Sequence, residues 1–506
     1  MKISRKNKML LNTASALLYQ IITLVCGFVL PKFIVPYFGS ETNGLVNSIT
    51  QFLSIITLCE CGIGAVVQSA LYKPLAEEND EEVSRIVISS RNFFRKIMVI
   101  FTVYVFALTL LYPVFAKGEY NYSYIDIASL VVILALSNIA QYYLFISYRL
   151  LLNADQASFV QLSAHSIALI LNTVFTILLI EIGASIHVVK FVSALIFFLQ
   201  PIFIKIYVDK RYNLNMKLKF DGEPIKQKWN GFAQHVSTVV ISNTATVGLT
   251  VFSTLKNVSI YSVYYLVVHG MRQIVITLNT GVKAMLGNMY AKKETEVLNK
   301  TYASTELIFH FIVTLLFTIT GILIIPFMQI YTKDFTDAEY ILPAFGVAMS
   351  ISQAVYCIRI PYEMMIQVAG HYKETQLSSF IEAAISIVLS IICILKFGLM
   401  GAAIGVTVAL VYRTVYLAWY LSKNILYRSI RHFVLHIFVD LISMIVMILS
   451  TCFIKLKAIN YLSWVFMAIQ VGLICLVVSA IVNFVFYRNI FLDSMKQIIK
   501  RRKKAV

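Results

Sequence analysis

Residues 462–486 read LSWVFMAIQVGLICLVVSAIVNFVF, a run of twenty-five residues without a charged side chain. A helix of about 20 apolar residues is long enough to span the hydrocarbon core of a bilayer. Because lipid offers no hydrogen bonds, the backbone of such a run must satisfy its own amides, and a helix does so. The stretch therefore predicts a membrane-spanning helix.

The rest of the chain repeats this pattern, with loops too short to hold a soluble domain. The composition agrees, since 59% of the residues are hydrophobic and 13% are charged. We predict an all-α polytopic membrane protein with 14 transmembrane helices. The other thirteen predicted spans are Met9–Tyr37, Asn43–Tyr72, Phe93–Phe115, Tyr124–Leu152, Phe159–Ile182, Ile186–Tyr207, Phe232–Ser253, Ser259–Tyr290, Leu307–Tyr331, Tyr340–Val368, Leu377–Leu395, Leu399–Leu421 and Phe433–Phe453.

The basic residues indicate the orientation of these spans. With a cytoplasmic N-terminus, the predicted cytoplasmic segments contain 31 Lys and Arg residues and the opposite face contains six. Cytoplasmic loops carry such an excess, so both termini are predicted to be cytoplasmic. The net charge of +18 then follows from topology, and no nucleic-acid partner is needed to explain it.

A basic loop divides the chain after the sixth span. The segment from Gln161 to Gly183 aligns without gaps on the segment from Gln376 to Gly398, as two parallel six-helix repeats require. We predict an N-terminal six-helix lobe (residues 1–208), a cytoplasmic basic linker (209–231) and a C-terminal six-helix lobe (232–423). Residues 424–506 then supply helices 13 and 14 and a basic cytoplasmic tail.

Charged residues inside the predicted spans indicate function, because a charge facing lipid near mid-bilayer costs about 2.5 to 3.5 kcal/mol. As a set they must face water or one another. Lys32 and Lys190 lie close enough to a span end to reach the interface. The other cations are Arg272, Lys283, Arg359 and Arg413, and the acids are Glu60, Glu363, Glu382 and Asp440, which are candidates for ion coupling or gating.

The eighth predicted span carries the clearest pattern. Its polar and aromatic positions are separated by 4, 7, 7, 4 and 7 residues, which places them on one stripe of a helix. They are Tyr261, Tyr265, Arg272, Asn279, Lys283 and Tyr290. Such a stripe suits an anionic headgroup that moves along a water-filled cleft. The alternative is a stripe packed against acids of neighbouring helices, for example Glu60.

We therefore predict that Arg272 and Lys283 contact an anionic substrate, together with Asn279 and Tyr265. Arg413 is the next candidate and Arg359 the last. Arg359 and Glu363 are four residues apart, so a local ion pair that forms part of a gate is an alternative for them.

No catalytic residue, metal site or cofactor is predicted. All seven cysteines fall inside predicted spans, where they behave as small hydrophobic residues. Cys59 and Cys61 are two apart on a helix, so their side chains point to different sides and cannot share a metal ion.

Several segments resemble Wzx-type polysaccharide flippases of the multidrug/oligosaccharidyl-lipid/polysaccharide (MOP) exporter superfamily. The segments are Gly27–Phe33 (GFVLPKF), Phe38–Leu45 (FGSETNGL), Glu60–Gly64 (ECGIG), Tyr261–Gly281 and Gly370–Thr375 (GHYKET). The resemblance implies two six-helix bundles around a central cavity that opens alternately to each side, followed by two C-terminal helices.

The resemblance also implies a substrate and partners. The substrate would be an undecaprenyl-diphosphate-linked oligosaccharide repeat unit, flipped from the cytoplasmic to the outer leaflet of the bacterial cytoplasmic membrane for capsule or O-antigen synthesis. Membrane lipids, Na+ or H+, and polysaccharide polymerase machinery are the other expected partners. A diphosphate and its sugars cannot cross hydrocarbon unaided, and cations in the spans would attract them.

Four alternatives remain open. Lipid II flippases of the MurJ type usually carry an Arg-Asp pair at the end of the first helix, which Leu30-Pro31-Lys32-Phe33 lacks. Drug/cation antiporters often rely on an acid in the first span, and Met9–Ser40 contains none. A membrane polymerase or glycosyltransferase generally needs a sizeable loop with acids, whereas the outer loops here have at most about ten residues. A scaffold protein would not need the cationic stripe.

Overall fold

The computed structural model describes residues 5–60, 63–116, 122–218 and 232–505, and helices dominate all four ranges. The helices up to the basic linker are α1 (Arg5–Ser54), α2 (Ile63–Ala76), α3 (Asp80–Phe115), α4 (Tyr124–Ala140), α5 (Ile146–Ala154), α6 (Ser158–Glu181) and α7 (Ile186–Arg211). A 3-10 segment, Ile55–Glu60, follows α1, and a π-helical segment, Gln141–Phe145, joins α4 to α5.

The helices after the linker are α8 (Phe232–Phe252), α9 (Leu255–Ala291), α10 (Thr295–Tyr331), α11 (Pro343–Ile358), α12 (Ile360–Val368), α13 (Gln376–Phe397), α14 (Leu399–Asn424), α15 (Arg431–Thr451) and α16 (Tyr461–Ala505). Residues 219–231 of the predicted linker lie outside the described residues, as do the side chains of the predicted basic tail from residue 489 onward.

In the described part of the chain, 12 helices are long and apolar enough to cross a membrane. The class is therefore confirmed as all-α and polytopic, whereas the count of 14 stays a prediction. The first predicted span and the first part of the second lie in α1, which Gly39 interrupts with a φ of 87°. The rest of the second predicted span, where the structure describes it, lies in the 3-10 segment and in α2. The eighth predicted span lies in α9, which is not one of the 12 and whose apolar content is lowered by the polar stripe.

The chain forms two compact units, Met1–Ile260 and Tyr261–Val506. In the first unit, α1 packs on α6, and α7 packs on both α4 and α6. Its core includes Leu45, Ile49, Val67, Phe101 and Leu130, each at most 1% exposed. This division at residue 260 does not test the predicted lobe boundaries at residues 208 and 232, which stay predictions.

The second unit is built around tight packing of α13 on α14. A Cβ atom added to Gly401 would lie 2.0 Å from the carbonyl oxygen of Cys393, and one added to Gly405 would lie 2.4 Å from Cα of Ser390. Small residues four apart let two helices approach in this way. Around this pair, α11 packs on α10 and α14, and α15 and α16 pack on α10.

The outer surface of the helices is strongly apolar. Val103, Phe106, Val114, Leu473 and Val485 are each at least 60% exposed. Exposed apolar patches of this extent are rare on soluble monomers but suit contact with lipid tails. The burial pattern therefore agrees with the sequence in assigning the chain to the membrane.

The tenth predicted span is broken in two. α11 ends at Ile358 and α12 begins at Ile360, with Pro361 in the first turn of α12. Proline lacks the amide hydrogen that a continuous helix requires at that position. As a consequence, the buried Arg359 sits at the junction between two helices.

Candidate functional site

The six positions of the predicted stripe all lie on α9, as expected. At its start, the rings of Tyr261 and Tyr265 stack with their centroids 5.8 Å apart, and Tyr265 stacks on His269 at 5.1 Å. Tyr261 is buried, whereas Tyr265 is partly exposed. The aromatic end of the stripe is thus held by ring stacking.

Arg272 lies further along α9 and contacts neutral groups of α11. Its Nη1 donates to Oε1 of Gln353 at 3.2 Å, and its guanidinium carbon lies 4.4 Å from the centre of the Tyr356 ring. Its Nε is buried without a hydrogen-bond partner. The side chain is partly exposed. Its positive charge is therefore oriented by an amide and a ring, neither of which carries a negative charge.

Lys283 also lies on α9, and it likewise contacts a neutral amide, in this case on α12. Its Nζ donates to Oε1 of Gln367 at 2.6 Å, and Nε2 of Gln367 in turn donates to Oε1 of Glu363 at 3.4 Å. An amide therefore stands between the ammonium group and the nearest acid of this chain of contacts. Lys283 is partly exposed.

Arg359 and Arg413 have a different environment, because both pair with one acid. Arg359 Nη1 lies 2.6 Å from Oε1 of Glu382, and Arg413 Nε lies 3.7 Å from Oε2 of the same residue. These three side chains are at most 5% exposed. Arg359 also lies 3.3 Å from Glu363, which forms the local ion pair considered from the sequence. Arg413 further donates to the carbonyl of Thr375 and to the hydroxyl of Ser378.

The Tyr356 ring connects the two groups of cations. Arg272 and Arg359 both lie over it, at 4.4 Å and 4.6 Å from its centre. We call Arg272, Lys283, Arg359, Arg413, Glu363 and Glu382 the cation cluster. It contains four cations and two acids, and both acids lie on the Arg359 and Arg413 side. Within the described residues, Arg272 and Lys283 make no ion pair.

Two further residues were predicted from the sequence, Asn279 on α9 and Glu60 in the first unit. Asn279 is partly exposed, and its Oδ1 is buried without a hydrogen-bond partner. Glu60 ends the 3-10 segment after α1, but its side chain lies outside the described residues. Its predicted roles in coupling and in packing against the stripe therefore stay predictions.

Asp440 belongs to a second group of polar residues in the same unit, which come from α10, α12, α15 and the segment between α14 and α15. His310 Nδ1 lies 2.5 Å from Oδ2 of Asp440, and His310 Nε2 lies 2.9 Å from the hydroxyl of Tyr362. The His310 ring stacks on His436 at 4.7 Å. We call His310, His436, Asp440, Tyr362, Glu306 and Arg428 the histidine cluster.

Glu306 and Arg428 form the remaining part of the histidine cluster. It is fully buried and accepts two hydrogen bonds from Nη2 of Arg428, at 2.6 Å and 2.7 Å. Burial alone would lower the pKa of Arg428, but the Glu306 carboxylate raises that pKa above its ordinary value. Arg428 therefore stays charged and compensates the buried acid.

Sequence reasoning missed Glu306 and the neutral partners of the stripe. The apolar run that defines the ninth predicted span begins at Leu307, which leaves Glu306 outside the predicted membrane segment. The helix α10 begins at Thr295, and Glu306 lies about three turns inside it. Gln353 and Gln367 carry no charge and left no signal in a search for charges in spans. A search for amides within apolar segments would have found both.

Comparison with known proteins assigns the fold. No family model matches the chain, and no curated protein matches its sequence. Solved structures match it at low identity. A lipid II flippase, MurJ, in an inward closed conformation, has a TM-score of 0.70 and 18% identity, over 96% of this chain and 100% of that protein.

Two multidrug transporters also match. An inward-facing MATE family transporter of the MOP superfamily has a TM-score of 0.64 and 15% identity, over 79% of this chain and 95% of that protein. The MATE multidrug transporter DinF-BH has a TM-score of 0.60 and 15% identity, over 82% of this chain and 95% of that protein. These proteins are a flippase and transporters rather than enzymes, in agreement with the sequence prediction that this chain is not an enzyme. The chain has the fold of MOP superfamily transporters.

Proposed function

We propose that this protein is a Wzx-type flippase, which moves an undecaprenyl-diphosphate-linked oligosaccharide from the cytoplasmic to the outer leaflet by alternating access. The observation that carries the proposal is the environment of Arg272 and Lys283. Both cations lie on α9, the eighth predicted span, against neutral amides, and both stay partly exposed.

The physical argument concerns the cost of an unpaired charge in a membrane. A cation within a span is stabilised by an acid, by water or by an anionic ligand. Glu363 and Glu382 pair with Arg359 and Arg413 instead. Arg272 and Lys283 are thus free to attract a diphosphate, with Gln353, Tyr356 and Gln367 fixing their positions.

Arg359 and Arg413 receive a different role in this proposal. Their guanidinium groups are buried and form ion pairs with Glu382, which holds α11, α12, α13 and α14 together. They position the segments that carry Gln353 and Gln367. Substrate contact at Arg359 and Arg413, considered from the sequence, stays a prediction.

A second candidate is flipping of lipid II. The MurJ structure is matched over its whole length and over 96% of this chain, whereas the two multidrug transporters are matched over about four fifths of it. This likeness shows the fold alone, and lipid II enters as the second candidate because the matched MurJ protein is a lipid II flippase. Lipid II and the proposed substrate both carry a diphosphate on a polyprenyl chain, so the same two cations would serve either.

The test is transport in liposomes that contain the purified protein and a lipid-linked oligosaccharide, with sugar exposure on the far leaflet as the readout. Lipid II in parallel liposomes decides between the two candidates. We expect Arg272→Ala and Lys283→Ala each to slow transport about tenfold or more, since a charge-assisted hydrogen bond contributes about 1.5 to 3 kcal/mol.

Lys292→Ala is the matched control, because Lys292 is exposed just beyond the end of α9. We expect this variant to transport like the parent protein. Arg272→Lys should keep part of the activity if point charge dominates, and little if bidentate phosphate contact is required. Undiminished transport by both alanine variants would refute the proposed role of the stripe.

A further inference from the structure

A small cavity in the first unit lies beside the π-helical segment Gln141–Phe145. Its volume is about 190 Å3. We call it the bulge pocket. The residues that line it include Arg91, Arg95, Tyr143, Ser147, Tyr148 and Lys205. None of these residues belongs to the cation cluster or to the histidine cluster.

The local backbone explains how the pocket forms. In the π segment, the amide of Ile146 bonds to the carbonyl of Gln141, five residues earlier, so one extra residue is accommodated in the turn. Short π segments inside α-helices occur frequently at functional sites. Here the widened turn places the Tyr143 side chain against α3, while Tyr148 lies buried at the start of α5.

Three cations surround the space. Arg91 and Arg95 are four residues apart on α3 and so share a face, and Lys205 enters from α7. The Arg95 guanidinium lies 4.9 Å from the centre of the Tyr143 ring, with Nη2 3.5 Å from its hydroxyl. Nε of Arg91 and Nε of Arg95 are buried without a hydrogen-bond partner.

Few negative charges oppose these cations. Within the described residues, Arg91, Arg95 and Lys205 make no ion pair. Asp209, one turn after Lys205 on α7, is the acid whose charge acts on Tyr148. A fourth cation, Arg149, lies over the ring of Phe145, which also lines the pocket. The local charge is therefore strongly positive.

The depth of the pocket points to the membrane interface. On α3, Arg91 precedes the predicted span Phe93–Phe115 and Arg95 lies in its first turn, so both arginines lie at the end of this span. Lys205 is likewise followed by Asp209, Lys210 and Arg211 at the end of α7. This is the level at which the phosphates of membrane lipids lie.

We propose that the bulge pocket binds the phosphate of an anionic membrane lipid. Arg91, Arg95 and Lys205 bind the phosphate oxygens, the Tyr143 hydroxyl adds a donor, and the acyl chains stay in the bilayer beside α3 and α7. Pockets for drug-sized ligands occupy about 300 to 1,000 Å3, so this cavity suits a headgroup and excludes an oligosaccharide. The site is distinct from the transport site proposed above and does not depend on it.

The experiment is native mass spectrometry of the purified full-length protein titrated with phosphatidylglycerol, phosphatidylethanolamine or inorganic phosphate. We expect the parent protein to prefer phosphatidylglycerol. Arg91→Gln/Arg95→Gln should weaken this binding about 30-fold, since each interfacial Lys or Arg contributes about 1 kcal/mol and 1.4 kcal/mol is tenfold. The matched control is Lys96→Gln/Lys210→Gln, which removes the same charge from exposed positions outside the pocket.

A milder pair of variants guards against misfolding. Lys205 and Lys210 are both exposed on α7, and only Lys205 lines the pocket. Lys205→Gln should weaken phosphatidylglycerol binding about fivefold, and Lys210→Gln should leave it unchanged. Equal losses in pocket and control variants would overturn the proposal, as would inorganic phosphate binding as tightly as the lipid. The measurement of lipid binding does not depend on transport activity, so it tests the bulge pocket separately from the proposed flippase function.

Discussion

Replacing Glu382 with glutamine should destabilise the second unit severely. Glu382 is 2% exposed, and its carboxylate is shared by Arg359 and Arg413, which are 4% and 2% exposed. In Glu382→Gln both guanidinium groups remain buried. Of the acids in the described part of the chain, none then pairs with Arg413, and Glu363 alone pairs with Arg359. Breaking a buried ion pair by removing one partner costs about 3 to 5 kcal/mol.

This cost translates into a measurable melting shift. In a unit of this size, 1 kcal/mol corresponds to about 2 to 4 °C in Tm. Because glutamine keeps one hydrogen-bond acceptor, we take the lower end of the range and expect a fall of about 10 °C. The assay is thermal unfolding of the detergent-purified protein, followed by the fraction that remains monodisperse after heating.

Two further variants make this result specific. Glu296→Gln removes an acid whose ion pair with Lys300 is exposed, with side chains 83% and 76% accessible, so Tm should hardly change. Glu382→Gln/Arg413→Met removes one of the two stranded cations and should recover part of the lost stability. A Glu382→Gln variant that melts with the parent protein would refute the assignment of Glu382 as the shared counter-ion.

Three other predictions concern coupling, packing and stability. Asp440→Asn should make transport insensitive to an imposed pH gradient in liposomes, because the His310 ring loses its acidic partner; a parental response would refute coupling at this site. Gly405→Ala should lower the free energy of unfolding by about 1 to 3 kcal/mol. Gly472→Ala should leave it unchanged, because the added Cβ meets nothing within 4 Å. Arg272→Met should raise Tm while abolishing transport, and a fall in Tm would indicate a structural role.

The helices of this protein were predictable because lipid imposes a strict rule on the backbone. Apolar runs located the elements from α3 to α16, since each must satisfy its own amides. The helix α9 is the exception, because the polar residues that suggest its function also lower its apolar content. A count of spans that relies on apolar content alone therefore omits α9, the helix that carries the polar stripe.

The candidate site was predictable as a set of charges but not as a set of pairs. Spacing placed Arg272 and Lys283 on one face of a helix, and both lie on α9 as expected. Which acid pairs with which cation depends on how α11, α12, α13 and α14 pack. These long-range contacts leave no local pattern in a single sequence. Glu382 thus emerged as a counter-ion only from the structure.

The distribution of acids in the second unit gives the strongest reason to treat α9 as the functional element. Glu382 pairs with two arginines, Glu306 pairs with Arg428, and Asp440 contacts His310. Arg272 and Lys283 instead contact amides, which orient a charge without cancelling it. A purely structural stripe would gain stability from acids or from uncharged side chains at these positions. These two oriented and partly exposed cations are the reason why we propose an anionic ligand that binds and leaves.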